Sequence, residues 1–161
     1  MTDPTQHILS IEDAIVYRNK MATLGKKVVL TNGCFDILHF GHLNYLHEST
    51  LLGDILMVGV NSDWSVTELK GPERPINVEL HRAYALSSLK AVARTFIFKG
   101  PRFEKEIGLI KPDIYTKAGD YTVETLPSSE RKALQEAGSE IKILPFQEGL
   151  STTQTIERMR R

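Results

Sequence analysis

The chain has 161 residues, and its 20 Lys and Arg balance its 20 Asp and Glu, so the formal net charge is zero. That length suits a single domain with its own apolar core, and 41% hydrophobic with 25% charged residues excludes a wholly disordered chain. The neutral balance argues against a nucleic-acid or membrane partner held by bulk charge. A single cysteine excludes a disulfide framework and fits a reducing, cytoplasmic setting.

The first 26 residues are predicted to form an extension ahead of the main domain. Residues 1–10 are polar and lack the basic segment and apolar run of a secretion signal, and no run of 18 apolar residues could span a membrane. Ser10 followed by Asp13 is typical of a helix start, and apolar residues then recur at helical spacing as far as Gly25. We expect a loosely ordered start, one helix, and a domain over 27–161.

From residue 27 onward, short apolar runs alternate with longer helical patterns. Strands are predicted at 28–31, 55–60, 95–98, 113–116 and 141–144. Helices are predicted at 41–52, 79–89, 103–110, 128–137 and 152–159, with an irregular stretch at 61–77. Strands joined by helical crossovers form parallel sheets with helices on both faces. The sequence therefore predicts an α/β, Rossmann-like, doubly wound sheet of five parallel strands, with ligands bound beyond the carboxyl ends of the strands.

His39 and His42 flank Gly41 at the start of the predicted helix that follows the first of these strands. A helix N-terminus carries unpaired N–H donors and a positive dipole end, which attract phosphate. Both imidazoles can donate to oxygens that gain charge during phosphoryl or nucleotidyl transfer. Helix capping and metal binding are the alternatives. The glycines at 33 and 41 argue against helix capping as the sole role, and the lack of a third nearby ligand argues against metal binding.

Three cations follow the second predicted strand. Lys70 and Arg74 lie in a long loop, which suits a lid that closes over a triphosphate, and Arg82 lies in the helix after it. Arginine offers a fork of donors to phosphate oxygens, and lysine offers a point charge. A solvated loop and a surface helix arginine are the alternatives.

Two further segments carry polar groups near strand ends or helix starts. Lys117, Gly119 and Asp120 follow the fourth strand, where they can bind phosphate and sugar hydroxyls or form an ordinary turn. Ser151 and Thr152 open the last predicted helix, where hydroxyls cap the helix, hold phosphate, or do both.

The stretch 31–42 reads Thr-Asn-Gly-Cys-Phe-Asp-Ile-Leu-His-Phe-Gly-His. It resembles the signature Gly-x-Phe-Asp-x-x-His-x-Gly-His of the cytidylyltransferase-like nucleotidyltransferases. This superfamily transfers a nucleoside monophosphate from a triphosphate to a phosphorylated acceptor and releases pyrophosphate. Four further segments are similar to its D-glycero-β-D-manno-heptose 1-phosphate adenylyltransferase branch, which makes ADP-heptose: Val-Asn-Ser-Asp (60–63), Lys-Gly-Pro-x-Arg-Pro-Ile-Asn (70–77), Lys-x-Gly-Asp-Tyr (117–121) and Ser-Thr-Thr (151–153).

The resemblance implies adenylyl transfer from ATP to a heptose 1-phosphate, and it implies a role for each matching residue. Catalytic roles fall to His39, His42, Lys70 and Arg82. Nucleotide and phosphate binding falls to Asn32, Gly33, Phe35, Gly41, Lys117, Gly119, Ser151 and Thr152. Substrate binding falls to Asp36, Arg74, Asn77 and Asp120. The resemblance further implies Mg²⁺ carried by the ATP phosphates, no resident metal site, a homodimer, and a separate sugar kinase that acts upstream.

Two other functions remain open from the sequence. A cytidylyltransferase acting on a small phosphorylated alcohol, such as glycerol 3-phosphate, typically reads Arg-Thr-x-Gly-Ile-Ser-Thr before its last helix, whereas residues 146–152 contain no arginine. A non-catalytic nucleotide-sensing module is expected to lose a histidine or the lid cations, and both histidines and all the cations are present. Ala118 and the segment 99–104 depart from the heptose branch. Cys34 is expected to be a packed side chain rather than a nucleophile.

Overall fold

A computed structural model describes residues 3–119 and 121–145 of the chain. Its strands are β1 (Ile8–Leu9), β2 (Val28–Gly33), β3 (Ile55–Asn61), β4 (Arg94–Phe98), β5 (Ile114–Ala118) and β6 (Glu140–Leu144). Its α-helices are α1 (Ile11–Thr23), α2 (Phe40–Thr50), α3 (Asp63–Lys70), α4 (Glu79–Ser87), α5 (Glu104–Ile110) and α6 (Ser128–Ala137). The predicted helix at 152–159 lies outside the described residues.

The strands form one parallel sheet in the order β1-β4-β3-β2-β5-β6. The five strands predicted from the apolar runs are confirmed. The predicted strand count is wrong, because the described part of the sheet has six strands. The additional strand is β1, where Ile8 pairs with Thr95 and Leu9 with Phe96. Two residues are too short a run for hydrophobic alternation to reveal.

The N-terminal residues are more ordered than their composition suggests. A short 3₁₀-helix at Pro4–His7 leads into β1, in the segment predicted to be loosely ordered. Helix α1 follows as predicted, and the backbone N–H of Asp13 donates to Ser10 Oγ at 3.0 Å. This bond satisfies one of the unpaired donors of the first helical turn. Ala14 of α1 is fully buried in the core of the sheet.

Two apolar clusters lie on opposite faces of the sheet because successive side chains of a strand point to opposite sides. Val28 and Leu30 of β2 pack on the face that holds Ile107 of α5 and Leu134 of α6. Val29 packs on the other face, where α2 and α4 supply Tyr45, Leu46, Ala83 and Leu86. The predicted doubly wound arrangement, with helices on both faces, is therefore confirmed.

Helix α3 occupies part of the stretch predicted to be irregular. It begins after Ser62, whose Oγ accepts the Ser65 N–H at 3.2 Å, and it ends before Gly71 at φ 95°. Eight residues with only Ser65 and Val66 buried give a weak helical pattern, which explains why periodicity missed it. The consequence is that Lys70 stands at the end of a helix rather than in a loop. None of the helices described is long and apolar enough to cross a membrane.

Candidate active site

A cavity of about 430 Å³ opens at the carboxyl ends of β2, β3 and β5. This is where a doubly wound sheet binds its ligands, and the volume is that of a small-molecule site. Many of the side chains assigned to the site from the sequence line it: Asn32, Gly33, Phe35, Asp36, His39, His42, Lys70, Arg74 and Lys117. The sheet topology thus collects residues that lie far apart in the chain.

The turn that follows β2 has an unusual backbone. Phe35 has φ 48°, the left-handed region that bulky side chains rarely adopt, and its ring is buried. A Cβ atom on Gly33 would lie 3.0 Å from the Phe35 ring, so any larger residue here would push this ring by a few tenths of an ångström. The Phe35 ring then meets His42 edge-on, with ring centroids 5.4 Å apart. The turn therefore fixes the position of a histidine that the sequence assigns to catalysis.

His39 and His42 lie together at the start of α2. His39 is the residue before the first helical turn, and the two ring centroids are 3.9 Å apart. Within the part of the chain that the structure describes, the Nδ1 atoms of both rings are buried, and Nδ1 of His39 has no hydrogen-bond partner. A hydrogen bond with the Ile37 backbone acts on His42 and offsets part of the effect of burial on its pKa. Burial lowers the pKa of both rings, and the neighbouring His39 lowers the pKa of His42 further, to about 4. Both rings are therefore uncharged at neutral pH in the free protein.

Asp36 joins the turn after β2 to the loop that follows α3. Its carboxylate accepts the Arg74 Nε–H at 2.6 Å, the Ile76 N–H at 2.9 Å and the Asn77 N–H at 2.8 Å. Asn77 also donates from its side chain to the Asp36 carbonyl at 2.6 Å. Burial by itself raises the pKa of Asp36, but the two backbone donors and Arg74 outweigh it and hold this pKa below its usual range. The carboxylate is thus ionised and committed to holding the loop.

Arg82 is almost fully buried, and it does not line the cavity. Its guanidinium donates to the carbonyls of Asn77 and Cys34 and to the Asp63 carboxylate. Cys34 immediately precedes Phe35, so the hydrogen bond from Arg82 to the Cys34 carbonyl stabilises the left-handed turn. Asn77 does not line the cavity either, and in this structure the donors of both side chains are engaged within the protein. The predicted contacts of Arg82 and Asn77 with substrate stay predictions.

Lys117 is a partly buried cation that lines the cavity. Its Nζ donates to Asn32 Oδ1 at 3.1 Å and to the Tyr115 hydroxyl at 3.4 Å. Burial lowers the pKa of Lys117, and the negative charge of Glu130 offsets part of this effect. Two acceptors and the Tyr121 ring, 5.6 Å from Nζ, hold the ammonium group at the cavity. It can there meet an anionic ligand without first being ordered.

Some residues assigned from the sequence lie elsewhere. Gly41 lines a smaller neighbouring cavity of about 150 Å³, and Gly119 lines neither cavity. Asp120, Ser151 and Thr152 lie outside the described residues, so their roles stay predictions. No group of three or more His, Cys, Asp or Glu residues that could hold a metal ion occurs in the described ranges.

Two charged cavity residues were not assigned from the sequence, Arg102 and Glu130. Arg102 could have been found, since it follows β4 and ligand-binding residues of this architecture follow strand ends. Glu130 lies in the first turn of α6, where an acidic residue is ordinary and gives no signal of a site.

The model of the family described as Cytidylyltransferase-like matches residues 30–158 of the chain. The chain belongs to the cytidylyltransferase-like family. The predicted family and enzyme class, a nucleotidyltransferase, are thus confirmed. The match spans the turn after β2, both histidines, the cationic loop and Lys117.

Curated relatives and solved structures agree with the cytidylyltransferase-like assignment. The chain is 44% identical over 158 residues to the bifunctional protein HldE of Nitratiruptor sp. and 46% identical over 156 residues to that of Sulfurimonas denitrificans. These alignments cover 98% and 96% of this chain but only 33% and 31% of the relatives, so the chain spans about a third of their length.

Two solved structures share the fold. The lipopolysaccharide core biosynthesis protein of Thermoplasma volcanium is 35% identical with a TM-score of 0.62, and the match covers 76% of this chain and 98% of that one. Pantoate-beta-alanine ligase of Francisella tularensis has a TM-score of 0.64 at 14% identity, covering 92% of this chain and 72% of the ligase. At that identity the ligase shows a common fold alone.

Proposed function

We propose that this nucleotidyltransferase moves AMP from ATP to D-glycero-β-D-manno-heptose 1-phosphate and releases ADP-heptose and pyrophosphate. One observation supports the proposal most directly. Two uncharged histidines line the same cavity as four cations, Lys70, Arg74, Arg102 and Lys117. Such a site suits a polyanionic substrate. The heptose is supported by the resemblance of the segments 60–63, 70–77 and 117–121 to the heptose branch.

In the proposed reaction an oxygen of the sugar 1-phosphate attacks the α-phosphorus of ATP in line. The bond between the α-phosphorus and the oxygen bridging to the β-phosphorus breaks, and pyrophosphate takes the electron pair. A phosphate oxygen is already ionised near pH 7, so the protein need not supply a general base. Catalysis then depends on placing the two phosphates and on stabilising the charge that develops between them.

His39 and His42 are proposed to donate hydrogen bonds to the triphosphate and the transition state. An uncharged imidazole offers one N–H, and the rings are fixed by each other and, for His42, by Phe35. The N-terminus of α2 adds backbone donors at the same place. Because these donors are oriented before substrate arrives, little reorganisation is needed in the transition state.

Different cations are proposed to bind different phosphate groups of the substrates. Lys117 is partly buried beside β2 and is suited to the nucleotide phosphates, whereas Lys70 at the end of α3 and Arg74 in the loop after it suit the leaving pyrophosphate. In the contact with Asp36, Arg74 uses only Nε, which leaves both Nη groups for an anion. Arg82 is proposed to position the turn after β2 and the loop rather than to touch substrate.

Mg²⁺ is proposed to arrive on the ATP phosphates. The residues present fit this mode, because the carboxylate of Asp36 is committed to the loop and the described residues contain no three-ligand cluster. When bound, the ion would supply charge neutralisation at the phosphates. A homodimer and an upstream sugar kinase that makes the 1-phosphate belong to the same proposal.

The deciding experiment is identification of the product. The protein is incubated with heptose 1-phosphate and Mg²⁺, and with ATP or CTP in separate reactions, and the nucleotide sugar is identified by mass spectrometry. The proposal predicts ADP-heptose from ATP. CDP-glycerol formed from CTP and glycerol 3-phosphate, with no ADP-heptose, would show the cytidylyltransferase instead. ATP binding without turnover of any acceptor would show a sensing module.

The histidine assignment has its own test with a matched control. His42→Ala is expected to reduce kcat for pyrophosphate release by roughly 100- to 1,000-fold, the cost of one oriented donor to a developing charge. His47→Ala changes an exposed histidine of the same helix and is expected to leave kcat unchanged. A folded His42→Ala protein with the wild-type rate would overturn the role of His42.

A further inference from the structure

Glu130 is a buried carboxylate that the proposed reaction does not use. It lies in the first turn of α6, is 4% exposed, and lines the cavity. Its Oε1 accepts the backbone N–H of Phe103 at 3.1 Å. Its Oε2 is buried and has no hydrogen-bond partner among residues 3–119 and 121–145. One oxygen therefore has a structural role, and the other is left unexplained.

A buried carboxylate oxygen without a partner is unfavourable, because the charge has left water without gaining a donor. The Phe103 N–H could be satisfied by a neutral acceptor such as a glutamine oxygen, so this bond alone does not require a charge. Glu130 also makes no ion pair within 4 Å in the described part of the chain. The free oxygen is thus best explained by a donor that arrives with a ligand.

The donor that suits this place is a hydroxyl group. An ionised carboxylate only accepts hydrogen bonds and repels phosphate, so a phosphate oxygen is excluded. Arg102, which precedes Phe103, also lines the cavity. Its guanidinium can bind the phosphate group of the same ligand. A cation and a hydroxyl acceptor on one wall match the two parts of a sugar phosphate.

We infer that Oε2 of Glu130 accepts a hydrogen bond from a hydroxyl of a sugar carried by one of the two substrates, either the acceptor sugar or the ribose of the nucleotide. The inference rests on the proposed function, which brings both sugars to this cavity. It makes Glu130 a substrate-binding residue for sugar hydroxyls.

The informative variant is Glu130→Gln. Its amide oxygen can still accept the Phe103 N–H, while the other position becomes an NH₂ group that donates instead of accepting. The matched control is Glu136→Gln on the same helix, which removes the same charge from an exposed side chain. Steady-state kinetics of both variants and the wild type are measured with ATP and the sugar 1-phosphate varied in turn.

Glu130→Gln is expected to raise KM for one substrate by about 10- to 100-fold. The reason is that the hydrogen bond from the sugar hydroxyl to a carboxylate is lost and the hydroxyl then faces the NH₂ group of the glutamine, which is also a donor. KM for the other substrate and the thermal unfolding midpoint are expected to change little. The substrate affected identifies the sugar. An analogue of that substrate lacking the bound hydroxyl is expected to be a poorer substrate for the wild type and to be used equally well by both proteins.

Unchanged KM values for both substrates would overturn the inference. So would equal changes in both KM values together with a lowered unfolding midpoint, since that pattern shows a purely structural residue. If the wild-type protein turns over no sugar phosphate, the proposed function has failed. In that case isothermal titration calorimetry with ATP, ADP-ribose and the sugar phosphate tests Glu130 independently, and equal dissociation constants for wild type and Glu130→Gln would overturn its role.

Discussion

Asp36 Oδ2 lies 2.6 Å from Arg74 Nε, with side chains that are only 1% and 14% exposed. The pair joins two segments that are distant in the chain, the turn beside the histidines and the loop after α3, which carries the cavity cation Arg74. Its attraction is strong because little water screens it. The Asp36 carboxylate therefore helps to set the position of the loop relative to the histidines, together with the Asn77 side chain and Arg82.

Replacing Asp36 by Asn should uncouple these segments. The variant keeps the size of the side chain but loses the charge, and Arg74 is left partly buried without a counter-ion. We expect the free energy of unfolding in urea to fall by about 3 kcal/mol, as for other broken buried pairs, and kcat/KM to fall at least tenfold. Asp54→Asn, which disrupts the exposed pair with Lys26, should lower stability much less, because water screens that pair. Equal losses in the two variants would contradict the proposed coupling.

The buried imidazole of His42 predicts how stability depends on pH. Its pKa is about 4 in the folded protein against an ordinary value of 6.5. Between these two pH values the unfolded chain therefore binds a proton at His42, and the folded protein does not. Stability from this source is complete above pH 6.5 and is lost as the pH falls towards 4, by up to about 1.4 kcal/mol per pH unit. Burial of His39 acts in the same direction.

Urea denaturation at several pH values between 4 and 7 measures this slope. His42→Gln cannot take up the proton and should give a flatter dependence than the wild type. His47→Gln, an exposed position of the same helix, should keep the wild-type slope. A wild-type slope in His42→Gln would assign the dependence to other groups. Asp36 contributes mainly below this range, because a carboxylate whose pKa is lowered from 3.8 loses its stabilising effect as the pH falls through and below that value.

The role of Arg82 as a positioning residue predicts a particular response to Arg82→Lys. Lysine keeps the charge but cannot reach the Asn77 and Cys34 carbonyls and the Asp63 carboxylate together. We expect the unfolding midpoint to fall by several degrees and kcat to fall with it, as the turn at Phe35 loses support. Arg131→Lys, which alters one contact with the Glu124 carbonyl, should change neither. Normal stability with a raised KM for ATP would instead show direct substrate contact.

Arg102 is expected to serve binding rather than the chemical step. It is exposed, and no hydrogen bond from it to another described residue competes for its guanidinium. Arg102→Gln should therefore raise KM for the acceptor phosphate about 5- to 10-fold, because the lost hydrogen bond is partly screened by water. Stability should not change. A loss confined to kcat would contradict this assignment, and the effect should weaken as salt is added.

The sequence was informative where local pattern and final structure coincide. The apolar runs predict five strands of the sheet, and His39 and His42 lie together because their spacing places one just before α2 and the other in its first turn. The sequence was uninformative where the environment of a side chain depends on segments that are distant in the chain. Whether Arg82 faces solvent, substrate or the Cys34 carbonyl depends on how α4 packs, which no local spacing records. Glu130 becomes a cavity residue only because α6 meets the loop at Phe103.

The strand β1 also has a consequence for how the protein behaves in concentrated solution. It stands at one end of the sheet and pairs along β4, but it contributes only Ile8 and Leu9. An exposed strand edge can template the addition of a strand from another molecule, and short edges limit this reaction. Without these two residues, β4 would present Arg94–Phe98 as a longer edge that includes three apolar side chains. The N-terminal segment thus protects this end of the sheet against aggregation.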